Sequence, residues 1–140
     1  MSTQIFVNLP VADLEKSIGF FTKLGFKFNP QFTDKNATCM IVGENIFVML
    51  LVKPFFKSFI KKEISDATKT TEVLMGISAE SREKVDKMVN DAIKAGGKEP
   101  HEKQEHGWMY SRSFEDLEGH IWEVIWMDES KMPQEMKNKE

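Results

Sequence analysis

Glu123 is the residue of this chain best placed to do chemistry, and it stands apart from the groups it would work with. It lies in the alternating run His120–Met127, where Ile121, Glu123 and Ile125 share one face and Trp122, Val124 and Trp126 the other. A carboxylate among apolar neighbours must protonate, pair or meet solvent. Arg112, on the neighbouring strand-like run, is the natural partner. Without it, the acid could receive a cationic or hydrogen-bonding ligand, or serve as a general base of raised pKa. The three histidines are scattered. His101 sits in the charged stretch PHEKQEH, His106 precedes a strand-like run, and His120 should point away from Ile121 and Glu123; all three read as surface residues rather than ligands. Cys39, within ATCMIV, reads as a small buried hydrophobe rather than a nucleophile. The sequence has no Gly-rich phosphate loop, nucleophile elbow or paired-cysteine metal motif.

The elements that must position these residues come in two similar sets. Gln4–Leu9 is a strand signal ended by Pro10. Asp13 is an N-cap candidate for a helix with Leu14, Ile18, Phe21 and Leu24 on one face, and Gly25 is placed to end it. Strand-like pieces follow at Phe26–Phe28, Ala37–Val42 and Ile46–Val52, the last two joined by a turn at Gly43-Glu44-Asn45. The second half repeats the order. Glu72–Ser78 reads as a strand, Ser78 or Ser81 as a cap, and Val85, Met88, Val89, Ala92 and Ile93 as a helical stripe closed by Gly96-Gly97. A short extended piece at Lys98–Glu99, a strand near Trp108–Phe114, a turn at Glu115–Gly119 and a strand at His120–Met127 complete it. Both halves read β-α-β-β-β, with Gly25 matched to Gly96 and Gly43 to Gly119. One such module leaves an apolar sheet face bare, so two must cover each other or pair with a second chain.

Module one spans 1–53, a connector 54–71 and module two 72–128, leaving 129–140 as a flexible tail. In the connector, Phe55, Phe56, Phe59, Ile60 and Ile64 stand near helical spacing, which fits an amphipathic helix on the sheet, or a lid or dimer contact. The 140 residues are enough for one domain burying roughly two-thirds of its unfolded surface. Lys+Arg 19 against Asp+Glu 22 gives a net charge of −3, which offers no electrostatic case for nucleic acid or an anionic membrane. The longest apolar run, Ile46–Val52, is far short of the roughly 20 residues of a membrane helix. No signal peptide is visible and the single cysteine forms no internal disulfide, so a cytoplasmic location is expected.

The segments LPVADLEKS (9–17), with Phe20-Phe21 and Leu24-Gly25-Phe26 after it, and FEDLEGHIWE (114–123) resemble the opening and closing pieces of the vicinal oxygen chelate superfamily. That group includes glyoxalase I, extradiol dioxygenases, fosfomycin-resistance enzymes and bleomycin-binding resistance proteins. The resemblance implies an α+β fold: two βαβββ modules forming a curved mixed sheet, a partly closed barrel, around a central cavity with helices on the outer face. In metal-using members, His and Glu side chains from the first and last strands of each module hold a divalent ion that polarises the substrate's oxygens. Here those positions fall on Phe6, on Phe47 or Met49, on Leu74, and on Glu123, the one position that keeps its ligand type. The resemblance therefore implies fold and pocket without the usual metal, and no cofactor is expected.

With Glu123 facing the cavity, Phe6, Asn8, Phe47, Met49 and Leu74 line it, with Tyr110 and Arg112 as further candidates. Such a lining suits a small organic ligand anchored at a few points. The expected function is metal-independent binding of a small hydrophobic or amphipathic molecule. The alternatives are a metal-dependent lyase, glutathione transferase or ring-cleaving dioxygenase of the same superfamily, and a non-catalytic structural or regulatory dimer. The resemblance also implies a homodimer.

Overall fold

In the computed structural model, which describes residues 2–138, both halves repeat one strand order. The strands are β1 (Ile5–Val11), β2 (Lys27–Phe28), β3 (Ala37–Gly43), β4 (Ile46–Val52), β5 (Leu74–Ser78), β6 (Gln104–Glu105), β7 (Met109–Glu115) and β8 (Ile121–Met127). They form two separate four-stranded sheets, ordered β1-β4-β3-β2 and β5-β8-β7-β6, rather than one sheet closed into a barrel. In each sheet the first and last strands of the module run parallel and the hairpin strands antiparallel. Pro10 sits on the edge strand β1, where its missing N–H costs no ladder bond to an outer neighbour.

Contacts divide the chain into two compact units. One comprises the residues up to Glu72 with Leu117–Gly119, the other Val73–Asp116 and the residues from His120 on.

In the first unit, α1 (Leu14–Lys23) starts at Asp13, whose side chain accepts from the Lys16 N–H. It ends in a Schellman turn: the Phe26 N–H donates to Phe21 O, the Gly25 N–H to Thr22 O, and Gly25 adopts φ 98°. Phe26 lies outside β2, its ring set edge-on to Phe21, so the expected strand is one residue shorter. Leu14, Phe20 and Phe21 of α1 are buried with Leu9, Val11, Met40, Val48 and Leu50 of the sheet. The tip Leu117–Gly119 is held here too. Both Glu118 carboxylate oxygens accept backbone N–H groups just ahead of α1, from Ala12 at 2.8 Å and Asp13 at 3.0 Å.

The second unit repeats the design. α3 (Arg82–Lys94) starts at Ser81, which accepts from the Lys84 N–H, and ends in the same Schellman pattern, with Gly97 N–H to Ala92 O and Gly96 N–H to Ile93 O. Val85, Val89 and Ala92 pack against Phe114, Trp122 and Val124 of the sheet. Asp116 pins the β7–β8 hairpin by accepting from the His120 backbone N–H and the Trp122 indole, both at 3.0 Å.

Several expectations need correction. The helix α2 (Lys53–Lys57) starts one residue ahead of the expected connector and covers only its first four residues; Ser58 caps it and its hydroxyl donates back to Phe55 O, and Phe59 and Ile60 lie beyond. Gly43 and Gly119 are not counterparts, because Gly43 ends β3 within the ladder while Gly119 turns the second hairpin at φ 92°. Lys98 makes an isolated bridge to Glu115, and the paired edge strand comes later, at Gln104–Glu105. β5 begins at Leu74 rather than Glu72. Residues 129–131 and 134–137, in the stretch expected to be a flexible tail, form a 3-10 turn and a helical turn, α4.

Candidate functional site

Pleating decides which side chains each sheet offers. In the first unit Leu9 and Val11 turn towards α1, which leaves Phe6 and Asn8 on the opposite face. The parallel register sets Phe6 beside Phe47, Asn8 beside Met49 and Pro10 beside Leu51. Phe6 and Phe47 stack with ring centroids 5.0 Å apart and planes 17° from parallel. Phe6 is 48% exposed. Further along this face α2 lies against β1 and β4, and a cavity of about 520 Å3 opens there. It is lined by Asn8, Leu51, Phe56, Phe59 and Ile60. Asn8 is its one polar side chain; its Nδ2 donates to Phe6 O at 3.3 Å.

In the second unit Leu74, Glu123 and Ser113 share a face, because Leu74 pairs with Ile121, Gly76 with Glu123 and Ser113 with Glu123. Phe6 and Leu74 stand at the same distance ahead of their helix caps, as do Asn8 and Gly76. The strand partners of that second pair are Met49 and Glu123, so Met49, rather than Phe47, is the counterpart of Glu123.

Glu123 is held by a residue the sequence placed in a solvated loop. Its Oε1 lies 3.3 Å from His101 Nε2, and the Ser113 hydroxyl lies 3.2 Å from the same nitrogen. His101 Nδ1 faces the Glu102 carbonyl at 3.1 Å. That carbonyl and the neighbouring carboxylate raise the His101 pKa above its ordinary value, against an opposing effect of burial. The His101 side chain is 46% exposed and that of Glu123 20%. No arrangement of a Ser–His–acid relay results, because hydroxyl and acid both meet the same ring nitrogen.

Arg112 and Tyr110 are not part of this face. They alternate with Ser111 and Ser113 and so point towards α3. Arg112 grips Glu99 through Nε and Nη2, each at 2.9 Å, and reaches Asp86 Oδ1 with Nη1 at 2.9 Å. Tyr110 donates to the same Asp86 oxygen at 2.6 Å. The Arg112 hydrogen bonds hold the Glu99 pKa down against burial. At Asp86 burial pushes the pKa up, and the hydrogen bonds from Tyr110 and Arg112 more than reverse it. Burial, and then the bond to Asp86, pushes Tyr110 up to about 12. The cluster edges an open polar cleft of about 920 Å3 between α3 and residues 99–103. The expected partner of Glu123 is thus replaced by His101, for a steric reason: Arg112 and Glu123 lie on opposite faces of one sheet.

His106 is exposed and His120 is buried, the latter against expectation. Cys39 is buried, and burial raises its thiol pKa. Among the described residues no group of three or more His, Cys, Asp and Glu side chains converges to hold a metal ion. No helix of the described residues is long and apolar enough to cross a membrane.

A bleomycin resistance protein-like N-terminal family model matches residues 3–43. No curated protein sequence matches the chain. Among solved structures, a hypothetical protein from S. aureus is 29% identical with a TM-score of 0.76, covering 90% of this chain and 94% of its own. A glyoxalase/bleomycin resistance protein/dioxygenase family enzyme from Burkholderia phytofirmans PsJN has 16% identity and a TM-score of 0.74, covering 90% and 99%. A bleomycin resistance determinant encoded on the transposon Tn5 has 16% identity and a TM-score of 0.63, covering 91% and 99%. The last two share the fold with this chain.

Proposed function

We propose that the chain is a member of the vicinal oxygen chelate superfamily, a reading supported by the family model over residues 3–43 and the fold it shares with glyoxalase/bleomycin resistance structures, and that it binds a small organic molecule on the sheet faces that the helices α1 and α3 leave uncovered. Binding proceeds without the divalent ion typical of that group. The uncovered faces are those that line the central cavity of a partly closed barrel in such folds. The observation that carries the reading is the chemistry of the positions where relatives hold metal. Phe6 and Leu74 offer no lone pair, and the Met49 thioether is a poor donor to a hard cation. Glu123 is the one hard donor of the set and is engaged by His101. These residue types do not fit the ion, and no step is routed through it. What Phe6, Met49 and Leu74 do fit is apolar contact, and in the first unit the cavity of about 520 Å3 lined by Asn8, Leu51 and Phe56 falls within the size range of small-molecule pockets.

The test is elemental analysis of protein purified without chelator, together with native mass spectrometry for a retained ligand. The expected outcome is metal far below one ion per chain and a small organic mass released on unfolding. Stoichiometric Zn, Ni, Mn or Fe, with ligand binding lost on chelation, would overturn the reading. The same preparation serves for the assembly. The exposed apolar side chains Ile5, Ile46 and Leu74 support a homodimer, which light scattering would register as twice the chain mass.

A further inference from the structure

The stretch from Lys53 to Lys62 carries a concentration of charge that small-molecule binding leaves unused. We propose that it is a docking surface for an anionic lipid bilayer, with Phe59 entering the headgroup layer and the neighbouring lysines meeting lipid phosphates. The net charge of −3 is a whole-chain figure, and locally the balance reverses. Lys53, Lys57, Lys61 and Lys62 fall in a stretch that contains no Asp or Glu; Glu63 and Asp66 come only after it. All four lysines are exposed. Among the described residues none of them pairs with a carboxylate.

The backbone gathers these charges around an aromatic ring. Beyond α2 the Phe59 N–H donates to Phe56 O at 3.1 Å and the Ile60 N–H to Lys57 O at 3.2 Å. The Lys57 ammonium donates to Lys62 O, which draws the two ends of this loop together. Phe59 lies between them at 67% exposure, the most open large apolar side chain among the described residues. Phe55 meets its ring edge-on at 5.1 Å and so orients it. A single exposed Phe is ordinary. One flanked by lysines without acidic partners, beside the apolar cavity wall of Phe56 and Ile60, has the make-up of an interfacial anchor. The ring gains by leaving water for the acyl boundary, while the ammonium groups reach phosphates on flexible stems. A second copy of the chain would cover Phe59 only by setting like charges against each other. A nucleic acid would find one open ring where single-strand binders offer several in a row.

The test is co-sedimentation of the full chain with vesicles of phosphatidylcholine alone and of an equimolar mixture with phosphatidylglycerol. Binding to the mixed vesicles should exceed binding to the neutral ones by about tenfold or more, and should fall as salt rises. Replacing Lys61→Gln and Lys62→Gln together should weaken it roughly twenty-fold, at about fivefold per lysine. Phe59→Ser should weaken it as well, whereas Phe59→Trp should keep it and add a fluorescence that brominated lipid quenches. Equal binding to both vesicles, or none to either, would overturn the proposal. So would binding to the mixed vesicles that survives the lysine and Phe59 substitutions, since the contact would then lie elsewhere. Tighter binding of single-stranded oligothymidylate than of the mixed vesicles would overturn it in favour of nucleic acid. Loss of a dimer in Phe59→Ser, with no vesicle binding by the native chain, would overturn it in favour of a second copy. Lys61 and Lys62 are exposed, so their variant decides the matter where Phe59→Ser fails to fold. Retention of a small organic ligand is independent of every one of these outcomes.

Discussion

His101 and Glu123 show how one contact changes the meaning of a carboxylate. An acid among apolar neighbours would be driven towards its neutral form, but an imidazole with two acceptors works the other way. The Glu102 carbonyl can only accept, so Nδ1 donates to it; Nε2 lies against the Glu123 carboxyl, and a ring donating at both nitrogens is the protonated form, which is the form these two contacts favour. The sign of the pH effect follows. A folded-state pKa above the unfolded value means that the stability His101 contributes is fully present below about 6.5 and is lost as pH rises through the raised value. A histidine NMR titration should place His101 above the ordinary value. Glu123→Gln should lower it only part of the way back, because the Glu102 carbonyl, the larger cause, remains. A His101 pKa below the ordinary value in the unaltered chain would contradict the assignment. The same substitution tests whether Glu123 acts on ligands. If the affinity for the small molecule retained on purification is unchanged in Glu123→Gln, the acid belongs to the His101 latch rather than to a ligand site.

At the scale of elements, the hairpin tip Leu117–Gly119 depends on two residues in different ways. Glu118 satisfies two backbone N–H groups ahead of α1, bonds of the charged type that contribute about 1.5–3 kcal/mol each before screening. Gly119 has φ 92°, and a Cβ there would stand 2.7 Å from the Ala67 carbonyl oxygen. Gly119→Ala should therefore destabilise by roughly 1–3 kcal/mol, and Glu118→Ala by about 1–2 kcal/mol, with Glu118→Gln milder. Urea denaturation midpoints would read all three, and a Gly119→Ala midpoint equal to that of the native chain would contradict the close approach. Caps and helix ends were legible in the sequence because their signals are local: Asp13, Ser81, Gly25 and Gly96 each act within one turn of their own helix. Two features were not. Whether Arg112 meets Glu123 depends on cross-strand register, where a one-residue slip changes the face. Likewise His101 reaches Glu123 because the chain bulges between the Lys98–Glu115 bridge and the Gln104–Ser111 pair, an irregularity no local pattern announces. The position of Phe59 escaped for a third reason. Helical spacing continues past Ser58, but the helix stops there, and Phe59 and Ile60 beyond it border a cavity instead of forming a buried stripe.

For the molecule as a whole, a net charge of −3 conceals an uneven distribution of ionic contacts. Among the described residues the first unit contributes the exposed Lys16–Asp13 pair, whereas the second holds Arg82–Glu105, Lys84–Glu80, Lys87–Asp91, Arg112–Asp86 and Arg112–Glu99 as well as His101–Glu123. Arg82 also lies over the Tyr110 and Trp126 rings, 5.2 and 4.9 Å from their centres, so its pair with Glu105 joins the start of α3 to the β6 edge. Pairs this exposed are individually weak, but Arg112 is largely shielded and its partners have depressed pKa values. Their contribution is present above the unfolded carboxylate range near 4 and disappears as pH falls through the lowered values. Acid should thus loosen the second unit before the first. Hydrogen-exchange protection factors measured at pH steps from neutral to about 3 should fall earlier for amides of β7 and β8 than for those of β3 and β4. Arg112→Met should narrow that difference, since it removes the cation whose partners titrate. Equal loss in both units of the native chain would show that the carboxylates of the Arg112 cluster do not govern acid stability.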